Sequence, residues 1–169
     1  MNILETMATR RSIRKYTDEA ISEAQVETLL KAAMSAPSAG NQQPWQFIVM
    51  DDKAVLEKVS NLSPYIKFAA KSQLSIMVVG DRSLEKFPGN WMLDCSAAIQ
   101  NMLLAAHEEG LGACWCGLWP EEDRVVAARE LIGAPESAVP LAVIVLGHPD
   151  QKLGAQDRFD ASRVHKNVW

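Results

Sequence analysis

Cysteine is scarce in this sequence, which has three in 169 residues: Cys95, Cys114 and Cys116. An odd number, with two of them one residue apart, does not make a disulfide framework. The spacing Cys-x-Cys is also wrong for a zinc knuckle, although a site combining Cys114 and Cys116 with Cys95 or His107 stays open as a less favoured alternative. We therefore predict a protein without disulfides or metal, from a reducing compartment such as the cytoplasm.

The sequence also lacks excess positive charge and long apolar runs. Its formal net charge is −4 and its isoelectric point is about 5.4, which argues against general affinity for nucleic acid or an anionic membrane. The most apolar stretch, 91–106, carries Asp94, Gln100 and Asn101 and is too polar to span a bilayer. The basic residues within 1–20 precede no apolar run, so no signal peptide is predicted. We expect neither nucleic acid nor membrane as a partner.

Familiar catalytic motifs are missing as well. No Gly-x-Gly-x-x-Gly follows a predicted strand, and there is neither a Walker loop nor a Gly-x-Ser-x-Gly elbow. The three histidines lie in no nucleophile–base pattern, and we interpret them as structural. The sequence therefore excludes a Rossmann dinucleotide site and offers no catalytic triad.

What is present is a regular set of helical and strand patterns over one domain, residues 1–169. Capping residues and apolar spacing predict a short first helix with Leu4 and Met7 facing inward. Further helices are predicted after Ser22, over 53–59, over 91–109 and from Pro120 to Gly133, with buried strands over 46–50, 74–79 and 141–146. Because helices outnumber strands without strict alternation, we expect an α+β sandwich around a small central sheet.

The segment over 91–109 is apolar nearly all round, as expected for a helix inside a core or an interface. A small sheet could not cover so much apolar surface, so we expect a second copy of the chain to bury it in a homodimer. Asp94 within this segment is interpreted as a helix cap or an interface bridge rather than a catalytic base.

A basic segment follows the first predicted helix, and its sequence is Arg10-Arg11-Ser12-Ile13-Arg14-Lys15. Guanidinium groups form bidentate, charge-assisted hydrogen bonds to phosphate oxygens, and a serine adds a hydroxyl donor. Cations at a helix C-terminus also complement the helix dipole, but that explains one or two basic residues rather than four. We therefore predict a site for a compact dianion.

Two more segments suit a flat ligand. The first is a stiff loop between a helix and a strand, Pro37-Ser38-Ala39-Gly40-Asn41-Gln42-Gln43-Pro44-Trp45. Prolines bracket its amide side chains, which could recognise a heterocycle, and nine residues is long for an ordinary turn. The second, residues 110–117, is rich in small residues that allow close backbone approach, and it ends at Cys116 and Gly117. Trp91, Trp115 and Trp119 either belong to the core or form the walls of a substrate pocket.

Taken in order, these segments resemble the FMN-dependent nitroreductase family. The runs at 10–16 and 37–45 are similar to its two opening signatures, residues 94–106 followed by Gly110-Leu-Gly to its central helix, and Arg158-Phe-Asp with His165 and Trp169 to the tail of its short members. The likeness extends over the whole chain. It implies a three-layer sandwich with a mostly antiparallel sheet, formed as an intertwined homodimer that holds FMN between its subunits.

The resemblance also implies roles for individual residues. Arg10, Arg11 and Ser12 would bind the FMN phosphate, and Arg14 would lie beside the N1–O2 edge of the flavin. Arg158 would reach the phosphate from the tail, where Lys152 and Arg163 are alternatives because the usual basic pair of longer members is missing. The backbone of Cys116 and Gly117 would approach flavin N5. The partner subunit would contribute Pro37, Ser38, Ala39, Asn41 and Gln43.

The function that follows is transfer of two electrons from NAD(P)H to nitroaromatic, quinone or similar conjugated acceptors by a ping-pong mechanism. The flavin would carry the chemistry, so no catalytic side chain is predicted. A flavin-modifying or dehalogenating enzyme of the same fold stays open as an alternative, as does a non-catalytic FMN-binding module.

Overall fold

The computed structural model describes residues 2–169 as five helices around one four-stranded sheet. The helices are α1 (Ile3–Thr9), α2 (Glu23–Met34), α3 (Lys53–Ser60), α4 (Trp91–Glu108) and α5 (Glu122–Ile132). The strands are β1 (Trp45–Met50), β2 (Leu74–Asp81), β3 (Gly112–Gly117) and β4 (Ala138–Gly147).

The sheet has the strand order β1-β2-β4-β3, and every neighbouring pair is antiparallel. Beyond β3, the segment after α1 continues the sheet for one bridge, where Ser12 pairs with Ala113 in the parallel sense and the Ile13 N–H donates to the Ala113 carbonyl at 3.0 Å. The predicted small, mostly antiparallel sheet is confirmed. The basic segment is thereby fixed against the edge strand β3.

Helices cover both faces of the sheet, which confirms the three-layer α+β sandwich. On one face, α2 and α4 enclose an apolar cluster that includes Leu29, Ile99 and Ile144. On the other, α3 and α5 cover a second cluster that includes Val59 and Met77. Both β2 and β4 are buried over nearly their whole length because they lie at the centre of the sheet.

Helix boundaries follow the capping signals of the sequence. Ser22 and Gln25 form a reciprocal capping box at the start of α2, and Gly133 ends α5 in the left-handed conformation with φ +62°. The expected inward orientation of Leu4 and Met7 is wrong, since both side chains are exposed. Thr6 is the buried residue of α1, and its hydroxyl donates to the Glu108 carboxylate at 2.8 Å.

The helix α4 is largely covered by its own chain. Eight of its 18 residues are buried, between α2 on one side and the sheet on the other. The need for a second copy to cover α4 is therefore smaller than the sequence suggested. Over residues 2–169, no helix combines the length and apolarity that crossing a bilayer would require.

The strand β3 is the element that the sequence did not predict. The sequence predicts only that the small residues of 110–117 allow close backbone approach, yet 112–117 form a strand that pairs with β4 over its full length. The small residues have a packing role here, because a Cβ on Gly112 would lie 2.6 Å from the Ile13 side chain. The segment after α1 can approach the edge of the sheet only because β3 presents no bulk at that point.

Candidate functional site

Three guanidinium groups gather where the basic segment meets the C-terminal tail. Partial burial and then the positive charges of Arg158 and Arg11 lower the pKa of Arg10, so these three side chains lie close together. Within residues 2–169 none of them forms an ion pair with a carboxylate. Arg11 donates to the Gly154 carbonyl, and Arg158 donates to the Gln156 side chain at 2.7 Å. Three neighbouring guanidinium groups without a carboxylate partner in the described part of the chain suit a dianionic phosphate.

The tail residues considered as alternatives to Arg158 lie elsewhere. Arg163 forms an ion pair with Asp160 at 3.0 Å, so its charge is already compensated. Lys152 lines a separate groove beside Arg11. Of these three tail residues, Arg158 is the one whose charge acts on Arg10.

The basic segment also meets the cysteines of β3. A hydrogen bond with Cys116, followed by the charge of Arg14 and a hydrogen bond from Ser12, lowers the pKa of the Cys114 thiol to about 7, against the opposing effect of burial. The same thiol–thiol hydrogen bond, together with burial, raises the pKa of Cys116. Ser12 and Arg14 therefore lie directly against the strand that ends at Gly117. The structure thus joins two segments that are about a hundred residues apart in sequence.

The outer edge of β3 presents unpaired backbone donors. Because the Ala113 carbonyl accepts from the basic segment and the Leu118 N–H donates to Leu141 of β4, strand alternation directs the N–H groups of Trp115 and Gly117 away from β4. Both residues line a cavity of about 310 Å³. Its lining includes Arg14, Tyr65, Cys116, Trp119 and Arg124. A flat ring placed here would meet backbone donors on one side and a guanidinium on another.

The three tryptophans separate into two roles. Trp115 and Trp119 line this cavity, and Trp119 is partly exposed. Trp91 does not line it, because its side chain is 4% exposed and packs over Gly80 in the core. It touches the site only through Trp119, edge to face at a ring-centroid distance of 5.5 Å. Of the three tryptophans predicted to belong either to the core or to a pocket wall, Trp91 is therefore a core residue.

The loop between α2 and β1 is held from inside by Asp94. One carboxylate oxygen accepts the Ala39 N–H at 2.9 Å and the other accepts Gln42 Nε2 at 2.6 Å. Asn41 and Gln43 adopt positive φ angles, and the Gln43 side chain donates to Asn41 at 2.8 Å. The outer side chains of the loop are left facing solvent. The members of the predicted set on this loop are Pro37, Ser38, Ala39, Asn41 and Gln43.

This loop and the guanidinium cluster lie at opposite corners of the sheet. The loop enters β1 at Trp45, which pairs with Gly80 of β2, and Gly80 in turn pairs with Val139 near the start of β4. The cluster adjoins Ala113 of β3, which pairs with Leu146 at the other end of β4. Three strand spacings and seven residues along β4 separate Trp45 from Ala113 by about 25 Å. One chain therefore does not bring the two halves of the predicted site together.

Four residues of the site were not selected from the sequence. The sequence predicts Asp94 only as a helix cap or an interface bridge, and it assigns no role to Gln42. An acidic residue within an otherwise apolar helix is the signal that points to Asp94. Tyr65 and Arg124 carried no local motif, and only the fold brings them to the cavity. Within residues 2–169, no group of three or more histidine, cysteine or acidic side chains is arranged to hold a metal ion.

Comparison with known proteins is consistent across sequence and structure. The model of the nitroreductase family matches residues 7–74 and 64–148. A Methanothermobacter thermautotrophicus protein, provisionally assigned as an NADH dehydrogenase/NAD(P)H nitroreductase, is 47% identical over all of this chain and 88% of its own length. A Parabacteroides distasonis crystal structure with the same provisional assignment superposes with a TM-score of 0.95 at 36% identity, over the whole of both chains.

A second similar structure contains a bound ligand. It is a nitroreductase, provisionally so assigned, from Desulfovibrio desulfuricans in complex with FMN, with a TM-score of 0.86 at 31% identity over 100% of this chain and 98% of that one. Family match, sequence identity and fold therefore agree with the resemblance found in the sequence. The chain belongs to the nitroreductase family.

Proposed function

We propose that this protein is an FMN-dependent oxidoreductase that moves two electrons from NAD(P)H to nitroaromatic, quinone or similar conjugated acceptors, as a homodimer. The observation that carries the proposal is the cluster of guanidinium groups without a counter-charge, continuous with Arg14 and the outward donors of β3. The names of its relatives, an NAD(P)H nitroreductase and an FMN complex, support the same cofactor and donor.

The phosphate end of FMN fits the guanidinium cluster. Arg10, Arg11 and Arg158 would each offer charge-assisted donors to phosphate oxygens, and the Ser12 hydroxyl would add another. Burial and then repulsion by Arg158 and Arg11 lower the pKa of Arg10, and binding a dianion would offset both effects. The residues present therefore fit the group that the family uses.

The ring end fits the neighbouring cavity. The Arg14 guanidinium would hold negative charge at the N1–O2 edge, and the backbone N–H of Gly117, next to Cys116, would donate to a ring nitrogen. When bound, FMN supplies the atom that accepts and returns hydride. The protein contributes position and electrostatic field, so no catalytic side chain is assigned.

The other half of the site would come from a second copy. Pro37, Ser38, Ala39, Asn41 and Gln43 lie too far from Arg10 in the same chain for one FMN to touch both. The face formed by α1, α2 and α4, here called the α1–α4 face, exposes apolar side chains and contains a groove of about 510 Å³. The exposed apolar residues are Ile3, Leu4, Met7, Met34 and Leu93. Pairing through this face would bury them.

Donor and acceptor would use one cavity in turn, which predicts ping-pong kinetics. The test is anaerobic stopped-flow of the purified yellow protein with NADH and with NADPH, followed by an acceptor such as menadione or nitrofurazone. We expect rapid bleaching by at least one nucleotide and rapid recolouring by the acceptor, with parallel double-reciprocal plots. A yellow protein that neither nucleotide bleaches would remove the proposal.

Two other outcomes would assign the fold to a different role. Slow NAD(P)H oxidation with conversion of added flavin or of a halogenated substrate would indicate a flavin-modifying or dehalogenating enzyme. Tight flavin binding without turnover of either acceptor would indicate a non-catalytic FMN-binding module.

A further inference from the structure

We infer that Arg124 and Tyr65 form an anion-selecting entrance to the acceptor cavity, so that the preferred acceptors are flat conjugated rings carrying a carboxylate. The inference rests on the proposed function, because it names a substrate class for the same cavity. Neither the Arg124 guanidinium nor the Tyr65 ring has a role in the proposed binding of the FMN phosphate or of the flavin edge.

Arg124 and Tyr65 reach the cavity from different elements. Arg124 lies in the first turn of α5, and Tyr65 follows α3 in a loop whose buried Ser63 and Ile66 anchor it. The guanidinium carbon of Arg124 lies 5.7 Å from the centroid of the Tyr65 ring, the geometry of a cation–π contact. Both residues line the cavity that also contains Gly117. The Tyr65 ring therefore holds the guanidinium beside the outward donors of β3.

The charge of Arg124 is not compensated by the protein. Within residues 2–169 it forms no ion pair, and the one carboxylate that lines the cavity, Glu121, is exposed at the helix N-cap. Arg14 contributes a second guanidinium to the same lining. Because Arg14 would already serve the flavin edge, the positive potential offered to an acceptor would come from Arg124, although the chain as a whole carries a net charge of −4.

The size and chemistry of the cavity indicate which anion it would take. With the flavin ring against β3, the part of the cavity lined by Tyr65, Trp119 and Arg124 would be left for a second flat ring. A carboxylate on that ring would meet a planar guanidinium that is already oriented by Tyr65, and guanidinium–carboxylate pairs are bidentate. Because Arg124 is only half-exposed, this contact is less screened than one at the open surface.

The test compares substrates of nearly the same shape, one anionic and one neutral, in the wild type and in a variant without the Arg124 charge. For the holoprotein we expect kcat/KM for 4-nitrobenzoate to exceed kcat/KM for 4-nitrobenzamide by about tenfold. Arg124→Gln should lower kcat/KM for 4-nitrobenzoate alone and so bring the ratio of the two values close to one. Arg163→Gln, which removes a guanidinium already paired with Asp160, is the matched control and should leave the ratio unchanged. A wild-type ratio near one would overturn the inference, as would an equal fall in kcat/KM for both substrates in Arg124→Gln.

A binding experiment separates this inference from the proposed function. Benzoate and benzamide cannot be reduced, so calorimetry on the oxidised protein reports the preference even if neither nucleotide bleaches the flavin. We expect benzoate to bind about tenfold more tightly, and the difference to disappear in Arg124→Gln. Equal binding of the two ligands would contradict the inference while leaving electron transfer untouched.

The other source of anionic charge is the donor. If Arg124→Gln lowered kcat/KM for NADPH but not for NADH, and left the nitrobenzoate ratio intact, Arg124 would serve the extra phosphate of NADPH. That outcome would overturn the assignment to the acceptor.

Discussion

Guanidinium groups that face one another without a carboxylate repel, and a folded protein keeps such an arrangement mainly where an anion binds. Arg10 is the most revealing of them, because its pKa is lowered both by burial and by Arg158 and Arg11. The cluster therefore forms a site suited to an anion such as the proposed FMN phosphate. Removing Arg10 should therefore weaken FMN binding without destabilising the apoprotein.

Arg10→Ala should weaken FMN binding about ten- to a hundredfold, the effect of losing one charge-assisted contact to phosphate. The apoprotein of the same variant should be no less stable than wild type, since a source of repulsion is removed. Fluorescence titration of deflavinated protein with FMN and urea unfolding measure the two effects. Arg163→Ala, in the tail but paired with Asp160, should change neither. Unaltered FMN affinity in Arg10→Ala would contradict the phosphate site.

The Cys114 thiol gives a prediction of pH dependence. Its pKa in the folded chain is about 7, below the ordinary value of 9.0, because of Cys116, Arg14 and Ser12. Between these values the unfolded chain holds a proton that the folded chain has released, so stability should rise as the pH increases from about 7 to 9 and be lost as it falls through 7. Above about 9 the raised pKa of Cys116 acts in the opposite direction.

Urea unfolding of the apoprotein from about pH 6 to about pH 10 measures this dependence. Cys114→Ser, which removes the titrating thiol, should flatten the rise between neutral and mildly alkaline pH. A wild-type profile that is already flat over that range would show that Cys116, Arg14 and Ser12 do not lower the pKa of Cys114.

Asp94 joins α4 to the loop before β1 through two hydrogen bonds. Asp94→Ala leaves the Ala39 N–H and Gln42 Nε2 without their acceptor and should lower the free energy of unfolding by about 2–3 kcal/mol. FMN affinity should fall as well, although Asp94 is assigned no contact with the cofactor, because the loop loses its shape. Asp18→Ala, at an exposed position, is the control. Full FMN affinity despite a displaced loop would argue against a role for the loop in binding.

Most elements could be predicted from local sequence. The capping box at Ser22 fixes the start of α2, and β-branched runs mark β2 and β4 because both strands are buried on two faces. The strand β3 lacked such a signal, since contact with Ile13 favours glycine and other small residues there. Tyr65 and Arg124 could not be found at all, because their proximity is created by the packing of α3 and α5 on the sheet. Motifs reveal what a segment binds, but not which distant side chain shares its cavity.

For the whole molecule, the two halves of the predicted site lie about 25 Å apart in one chain, at opposite corners of the sheet. If one FMN contacts both halves, as proposed, a complete site would need two copies, and the exposed apolar residues of the α1–α4 face offer a surface through which they would pair. Association and cofactor binding should be lost together.

Leu93→Glu should dissociate the dimer, because it replaces an exposed apolar side chain of the proposed interface with a charge. Leu93 is 66% exposed in one chain, on the stripe of α4 that continues to Asn101 and Leu104. We expect the dimer Kd to rise at least about a hundredfold and FMN affinity to fall with it. Val126→Glu, on the exposed side of α5, is the matched control. A dimer unaffected by Leu93→Glu would exclude this face as the interface.

The most direct measurement of the central claim is a titration of the deflavinated wild-type protein with FMN, followed by absorbance and by sedimentation in the same samples. The account predicts a yellow dimer that saturates at two FMN per pair of chains. A colourless single chain that takes up no FMN would contradict it.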